Sequence, residues 1–466
     1  MRPRAPHPDW PGREILALAA HWPATEPLAI LHSGSDAGAW SRLSLLARPR
    51  GHLRLTSQGT TWTGPRWPEL EDQLAAIDTR DPLAVIDAAA AAGRAMAPTA
   101  AAANGPFPGG WLMSLRYELG GHLEPTARSS RQTPDTPLAD LLWCPDALAH
   151  DAADDQWWEI GDLPGFVTDR SPRDPFQLGE WNSQPAREQF EAAVAQTVNL
   201  IRRGDLFQAN IARQLSATCT GDLRRFAIDA LQNSEAWFGG WLEFPGAPDD
   251  RAVLSLSPEL FLDLDGDSGR IRSRPIKGTR PARDRAEDLA HSEKDTAELN
   301  MIVDLVRNDL GRVCRLGSVH VSQPRAIESH PTVHHGVAEV SGQLPPGTGI
   351  GDVIRASFPP GSVTGAPKIR AMQVIDELEP FTRGPYCGAM GYLTSTGHLR
   401  LGVSIRTAAF EGRADAGFES VSGQLRYGTG CGIVVDSIPA EEYEESQHKA
   451  AALMNAARAA VTQPVP

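Results

Sequence analysis

Apolar positions in this chain switch between two spacings, and each switch marks an element. Leu28-Ala29-Ile30-Leu31 and Leu53-Arg54-Leu55 read as short strands, and a Gly/Pro turn at 106–110 leads into an apolar strand. The alanine-rich stretch 82–96 opens on Pro82 and predicts a helix. Phe190, Val194, Val198 and Ile201 recur at helical spacing until Gly204 ends the run. Strand-like runs follow at 205–211, 253–256, 261–264, 271–276, 333–340, 388–394, 399–407 and 431–435. A long helix is predicted over 287–306, and a terminal one opens at Pro439 and reaches 460. The Ser/Thr/Pro/Arg-rich segment 126–137 reads as an exposed loop, and the polar, proline-bearing 169–185 as a linker. The expected organisation is therefore an N-terminal region 14–168, that linker, and a second region 186–458. Runs of strands with occasional helices predict an α+β fold rather than a βαβ one.

Composition adds limits. With 41% hydrophobic and 22% charged residues over 466 positions, the chain is an ordinary globular protein. Five scattered cysteines without a CxxC pair indicate neither a zinc site nor a disulfide framework, and fit a reducing cytoplasm. A net charge of -14 argues against nucleic acid as a partner, and an anionic substrate would need a locally positive pocket. No apolar run has the length of a membrane span or the form of a signal peptide, so no membrane partner is expected.

Several clusters could carry chemistry. Lys277 lies in Arg274-Pro275-Ile276-Lys277-Gly278-Thr279-Arg280-Pro281, pinned between a proline and a glycine. A lysine held so can be a nucleophile if its surroundings keep it uncharged, although a lone lysine is more often a surface residue. Glu298 sits in the long helix, and Glu442 and Glu445 share a face of the terminal helix. Carboxylates from two helices suit a hard cation such as magnesium, while acids in a first turn also simply favour the helix dipole. The loop Phe358-Pro359-Pro360-Gly361-Ser362-Val363-Thr364-Gly365-Ala366-Pro367-Lys368 enters a helix whose free amides favour carboxylates; the alternative is an ordinary glycine-rich entry. Arg406, in the apolar run 403–407, must find an acid or a ligand. His335 reads first as a satisfied core histidine. Tyr427-Gly428-Thr429-Gly430-Cys431-Gly432 superficially resembles a glutaminase turn, but a strand follows it and no His-x-Glu pair lies downstream.

In this order the motifs resemble the chorismate-binding family, which includes anthranilate, aminodeoxychorismate, isochorismate and salicylate synthases. The matching runs include Gly204-Asp205-Leu206-Phe207-Gln208-Ala209-Asn210, Ser257-Pro258-Glu259-Leu260, 275–280, 302–311, 358–368, Tyr386-Cys387-Gly388-Ala389-Met390-Gly391-Tyr392, Ile405-Arg406-Thr407 and 430–449, covering about 186–456. The resemblance implies two stacked antiparallel β-sheets flanked by helices. It implies chorismate as substrate and Mg2+ as cofactor, held by Glu298 and Glu445 with Glu442 close by. Tyr386 and Arg406 would hold the ring carboxylate. Ser362, Thr364 and the Gly430–Gly432 backbone would complete that pocket, with Lys449 facing the other acid groups. His335 matches the family's active-site histidine and Glu259 its general acid. Two positions separate the branches. Water-adding members carry a lysine where this chain has Gln208, and anthranilate synthases carry a small residue where it has Lys277. The lysine at 277 is the pattern of the branch that makes 4-amino-4-deoxychorismate with ammonia from a separate glutamine amidotransferase subunit. An anthranilate-forming enzyme and a non-catalytic chorismate-binding protein are the alternatives.

Overall fold

The computed structural model describes residues 10, 12, 14–34, 40, 42–96, 105–168, 173–234, 236–246, 250–329, 333–415 and 417–462. Residues 169–172 of the expected linker, and the opening residues 1–9, lie outside these.

Two large antiparallel sheets dominate. The first runs Asn182–Gln184, Gln208–Gly221, Val421–Ile433, Thr407–Ala414, Asp250–Ser257, Phe238–Phe244, Ala29–His32, Leu43–Arg48, Asp146–Asp151 and Gln156–Ile160. The second runs Ile276–Pro281, Val333–Gln343, Arg270–Arg274, Leu260–Leu264, Leu399–Val403, Ala389–Thr394, Gly110–Leu115, Ala139–Cys144, Gly51–Thr56 and Gly59–Thr63. Each is continuous across the two regions of the sequence. Ala29–His32 pairs with Phe238–Phe244, and Gly110–Leu115 with Ala389–Thr394. Within the segment 169–185, Gln177–Leu178 and Asn182–Gln184 pair with Gln208–Gly221.

Strand alternation divides the cores. Leu31, Leu45, Leu112, Leu142, Leu242 and Met390 come from both sheets and pack in the layer between them. Leu53, Leu55 and Met113 belong to the opposite face, packed with Leu83, Val85, Leu299 and Val353 of the flanking helices Pro82–Ala95, Glu293–Gly311 and Ile350–Ser357. The first sheet's outer face is covered by Leu223–Ser234 and by Pro439–Thr462.

Three expectations change. The strand predicted over 271–276 divides at Pro275 into Arg270–Arg274 and Ile276–Pro281, both in the second sheet. The helix predicted over 287–306 is two, Ala286–Ala290 and Glu293–Gly311, because Ser292 caps the second by accepting from the Asp295 amide at 3.2 Å. The strand predicted over 399–407 is also two, and they lie in different sheets. Leu399–Val403 belongs to the second and Thr407–Ala414 to the first, and Arg406 sits at the crossing with φ +51°. A continuous apolar run does not reveal that the chain changes sheets.

Candidate active site

A second crossing lies beside that one. Asp250–Ser257 is in the first sheet and Leu260–Leu264 in the second, so Pro258 and Glu259 bridge them. The crossings are stitched together: the Val403 amide donates to the Glu259 carbonyl at 2.9 Å, and the Leu256 amide to the Arg406 carbonyl at 3.1 Å. Non-adjacent segments thus bring an acid and a base to one place.

Glu259 is buried, at 4% exposure. Burial pushes its carboxyl up, against the Ser362 hydroxyl, the Lys277 charge and the Ile276 amide. Lys277 projects from the edge strand Ile276–Pro281, whose pairing slips between Ile276 and Thr279, and Gly278 there has φ +81°. Its Nζ donates to the Ser362 carbonyl at 3.2 Å. Burial lowers the Lys277 pKa, helped by Lys449 and opposed by Glu298, Glu259 and Glu445. Both groups are therefore shifted toward their uncharged forms.

The floor beneath them is bare backbone. Gly428, Gly430 and Gly432 share one face of Val421–Ile433, while Tyr427 and Cys431 point into cores on the other side. A Cβ on Gly432 would stand 2.7 Å from Gln208 Nε2 and 3.4 Å from Lys277 Nζ. One on Gly428 would stand 2.2 Å from the Tyr386 ring. Gln208, fully buried, brings an amide whose two polar atoms make no hydrogen bond among the described residues. Gln208, Lys277 and Tyr386 converge where these glycines leave room.

Tyr386 is buried and precedes Cys387, at φ +63°. Burial lowers the Arg406 pKa, and among the described residues no carboxylate lies within ion-pair distance of it. Of the loop residues, Ser362 offers its hydroxyl to Glu259 and its carbonyl to Lys277. Thr364 turns its hydroxyl back to the Pro360 carbonyl at 3.0 Å, and its own carbonyl accepts from the Asn210 amide at 2.7 Å. His335 is buried with Nδ1 2.9 Å from Thr279 Oγ1, beside Lys277 on the paired strand.

Acids line the opposite wall. Carboxylate oxygens of Glu442 and Glu445 and the Cys431 sulfur lie within 4.8 Å of one another. Glu298 faces them from Glu293–Gly311; burial raises its pKa, with Glu442 adding to the effect. Burial also pushes the Cys431 thiol up, and it donates to the Glu442 carbonyl at 3.3 Å, leaving hard oxygen donors, the ligand type magnesium takes. Lys449 Nζ bridges Glu445 at 2.7 Å and the Gly430 carbonyl at 3.1 Å; the Lys449 and Glu445 side chains are 44% and 54% exposed and form the open rim.

Sequence reasoning missed a support behind the pocket. The Arg383 guanidinium is bidentate to Glu379, donates to the Val363 carbonyl at 3.0 Å and the Asn210 carbonyl at 2.6 Å, and lies 4.6 Å from the centre of the Tyr117 ring. Glu379 in turn accepts from the Ala212 amide at 2.8 Å. This pair fixes the loop carrying Ser362 against the strand carrying Gln208. Its only sequence signal is an acid and an arginine four apart, which exposed helices show routinely.

The sequence profile of the chorismate binding enzyme family matches residues 35–455. The chain is 37% identical to the aminodeoxychorismate synthase component 1 of Escherichia coli over 359 residues, 74% of this chain and 76% of that one. It is 35% identical to the Klebsiella aerogenes protein of the same name over 453 residues, 91% of this chain and 93% of that one. Among solved structures, the anthranilate synthase component I of Streptococcus pneumoniae aligns with a TM-score of 0.70 at 27% identity, covering 88% of this chain and 92% of that one.

Proposed function

The chain belongs to the chorismate binding enzyme family, and we propose that it is an aminodeoxychorismate synthase component 1 that converts chorismate and ammonia to 4-amino-4-deoxychorismate. The observation that carries this reading is the pairing of Lys277 and Gln208 over Gly432. An amine shifted toward neutrality stands beside an amide that cannot act as a base for water, so the pocket favours a nitrogen nucleophile over hydrolytic addition.

Arg406, which has no acid partner among the described residues, and Tyr386 receive the ring carboxylate; Lys449 faces the remaining acid groups at the rim. Glu259, pushed toward its protonated form, gives its proton to the departing C4 hydroxyl, which leaves as water. Lys277 Nζ forms a bond to C2 as the C4–O bond breaks and the ring double bond shifts, and the new secondary amine sheds one proton. Ammonia then bonds to C4, the double bond shifts back, the C2–N bond breaks, and Lys277 recovers its proton as the free amine. His335, fixed by Thr279, borders Lys277. Glu298, Glu442 and Glu445 would hold Mg2+, which when bound supplies a positive charge that draws electron density from the ring. Ammonia comes from a glutamine amidotransferase subunit, in keeping with the component naming of the relatives.

The test is purified protein with chorismate, magnesium and an ammonium salt, with and without an aminodeoxychorismate lyase. Appearance of 4-aminobenzoate only when the lyase is present supports the reading. Anthranilate formed without it would assign the other ammonia-using branch.

A further inference from the structure

The helix Glu293–Gly311 carries a cation where its own geometry disfavours one. Ser292 caps it, and Glu293 and Asp295 put negative charge in its first turn, as the helix dipole prefers; Lys294 stands between them with the opposite sign. Lys294 also precedes Glu298 by four residues, the reverse of the order in which a glutamate–lysine pair supports a helix. Its side chain is exposed and makes no hydrogen bond or ion pair among the described residues. A residue that breaks local rules with no structural return is the mark of a functional position.

The helix places this cation at the mouth of the pocket. Residues four apart share a helix face, so Lys294 lies one turn from Glu298, on the side that meets the acidic wall. Its charge is felt on both halves of that wall. Burial raises the Glu298 carboxyl, and the Lys277 and Lys294 charges oppose it; at Glu445 burial is outweighed by Lys449, Lys277 and Lys294. Lys277 acts on these two acids from within the protein, and Lys294 acts on them from the exposed side. The neighbouring cations are already partnered. Lys449 holds Glu445 and the Gly430 carbonyl, Arg280 holds Asp295 at 2.7 Å, and Arg187 holds Glu191 at 2.8 Å and Glu444 at 3.0 Å. Lys294 is therefore the uncommitted positive charge of this rim among the described residues.

Chorismate carries two carboxylates, and Arg406 inside the pocket can hold one of them. We propose that Lys294 is a substrate-binding residue whose ammonium takes the carboxylate that Arg406 does not hold. The proposal rests on the reading of chorismate as the substrate. It is tested in the full chain with saturating magnesium and ammonium chlorides, 4-aminobenzoate being read through an excess of lyase. Lys294→Met should raise the KM for chorismate about tenfold, the scale of one charge-assisted hydrogen bond, with kcat lowered less than about threefold. Lys294→Arg, which keeps the charge, should stay within about threefold of the parent KM. Added sodium chloride should raise the parent KM more steeply than that of Lys294→Met. Two further measurements separate substrate binding from a structural role. The melting temperature of Lys294→Met should match or exceed the parent's, since the first turn loses a disfavoured charge. Titration calorimetry of magnesium chloride into substrate-free protein should show binding as tight or tighter in Lys294→Met, because a cation beside Glu298 and Glu445 repels the metal. An unchanged chorismate KM in folded Lys294→Met overturns the proposal. So does weaker magnesium binding in that variant, which would make Lys294 a support for the carboxylates. If the parent makes no product, calorimetric binding of chorismate decides: equal affinity in parent and Lys294→Met overturns the role of Lys294 alone, and no binding by the parent removes the chorismate reading and this proposal with it.

Discussion

Two buried charge constellations stand back to back in this protein, and they handle charge in opposite ways. In the clamp, Arg383 and Glu379 are 1% and 2% exposed, are bidentate to one another, and use their remaining capacity on three backbone groups. Burial works against the Arg383 charge, yet Glu379 more than offsets it and holds the pKa above the ordinary arginine range. In the pocket, Lys277 and Glu259 are given too few partners to keep their charges, and burial moves each toward neutrality. The full partnership fixes the loop and the deficient one leaves groups able to move protons and form bonds.

The contrast predicts that substitutions will separate activity from stability. Lys277→Met should cost the largest factor, about 10³-fold or more in turnover, while the folded state at neutral pH becomes more stable, not less. Equal loss of melting temperature and rate would erase the distinction. Glu379→Gln should do the reverse: removing one member of a fully buried pair costs about 3–5 kcal/mol of stability, measurable by denaturant titration. Glu259→Gln should lower kcat about 10²–10⁴-fold without destabilising the fold. Arg406→Met should raise the KM for chorismate about 10–100-fold, from one lost charge-assisted contact, again with no loss of stability. The smallest effect is in pH. Because burial lowers the Lys277 pKa from its ordinary 10.5, the folded state resists protonation of the amine. The extra stability of Lys277→Met should be present at neutral pH and shrink to nothing as pH rises through 10.5, and parent activity should fall as acidification charges the amine. Urea titrations of both proteins across pH check this; a gap that grows with rising pH would reverse the sign.

The fold class, two stacked antiparallel sheets flanked by helices, was legible in the sequence through the family resemblance, but the path of the chain between the sheets was not. Lys277 stood out by itself, pinned between a proline and a glycine, whereas Glu259 and the Gly430–Gly432 backbone entered only through the family resemblance. The sheet crossings at 257–260 and 403–407 could not be read, because both flanks are apolar strands and nothing in the alternation records which sheet a strand joins. Arg406 was accordingly expected inside a strand. The clamp was hidden because the acid–base spacing of Glu379 and Arg383 is that of ordinary surface pairs, and only tertiary packing makes it a buried one.

The account depends on the Lys277 amine bonding to the substrate ring. Mass spectrometry of the intact protein, quenched after mixing with chorismate and magnesium in the absence of ammonia, tests it directly. A mass gain of chorismate less one water, mapping to Lys277 and dispersed on adding ammonium, is the predicted result. No such adduct, with Lys277→Ala making product at the parent rate, would contradict it and leave direct attack by ammonia as the chemistry.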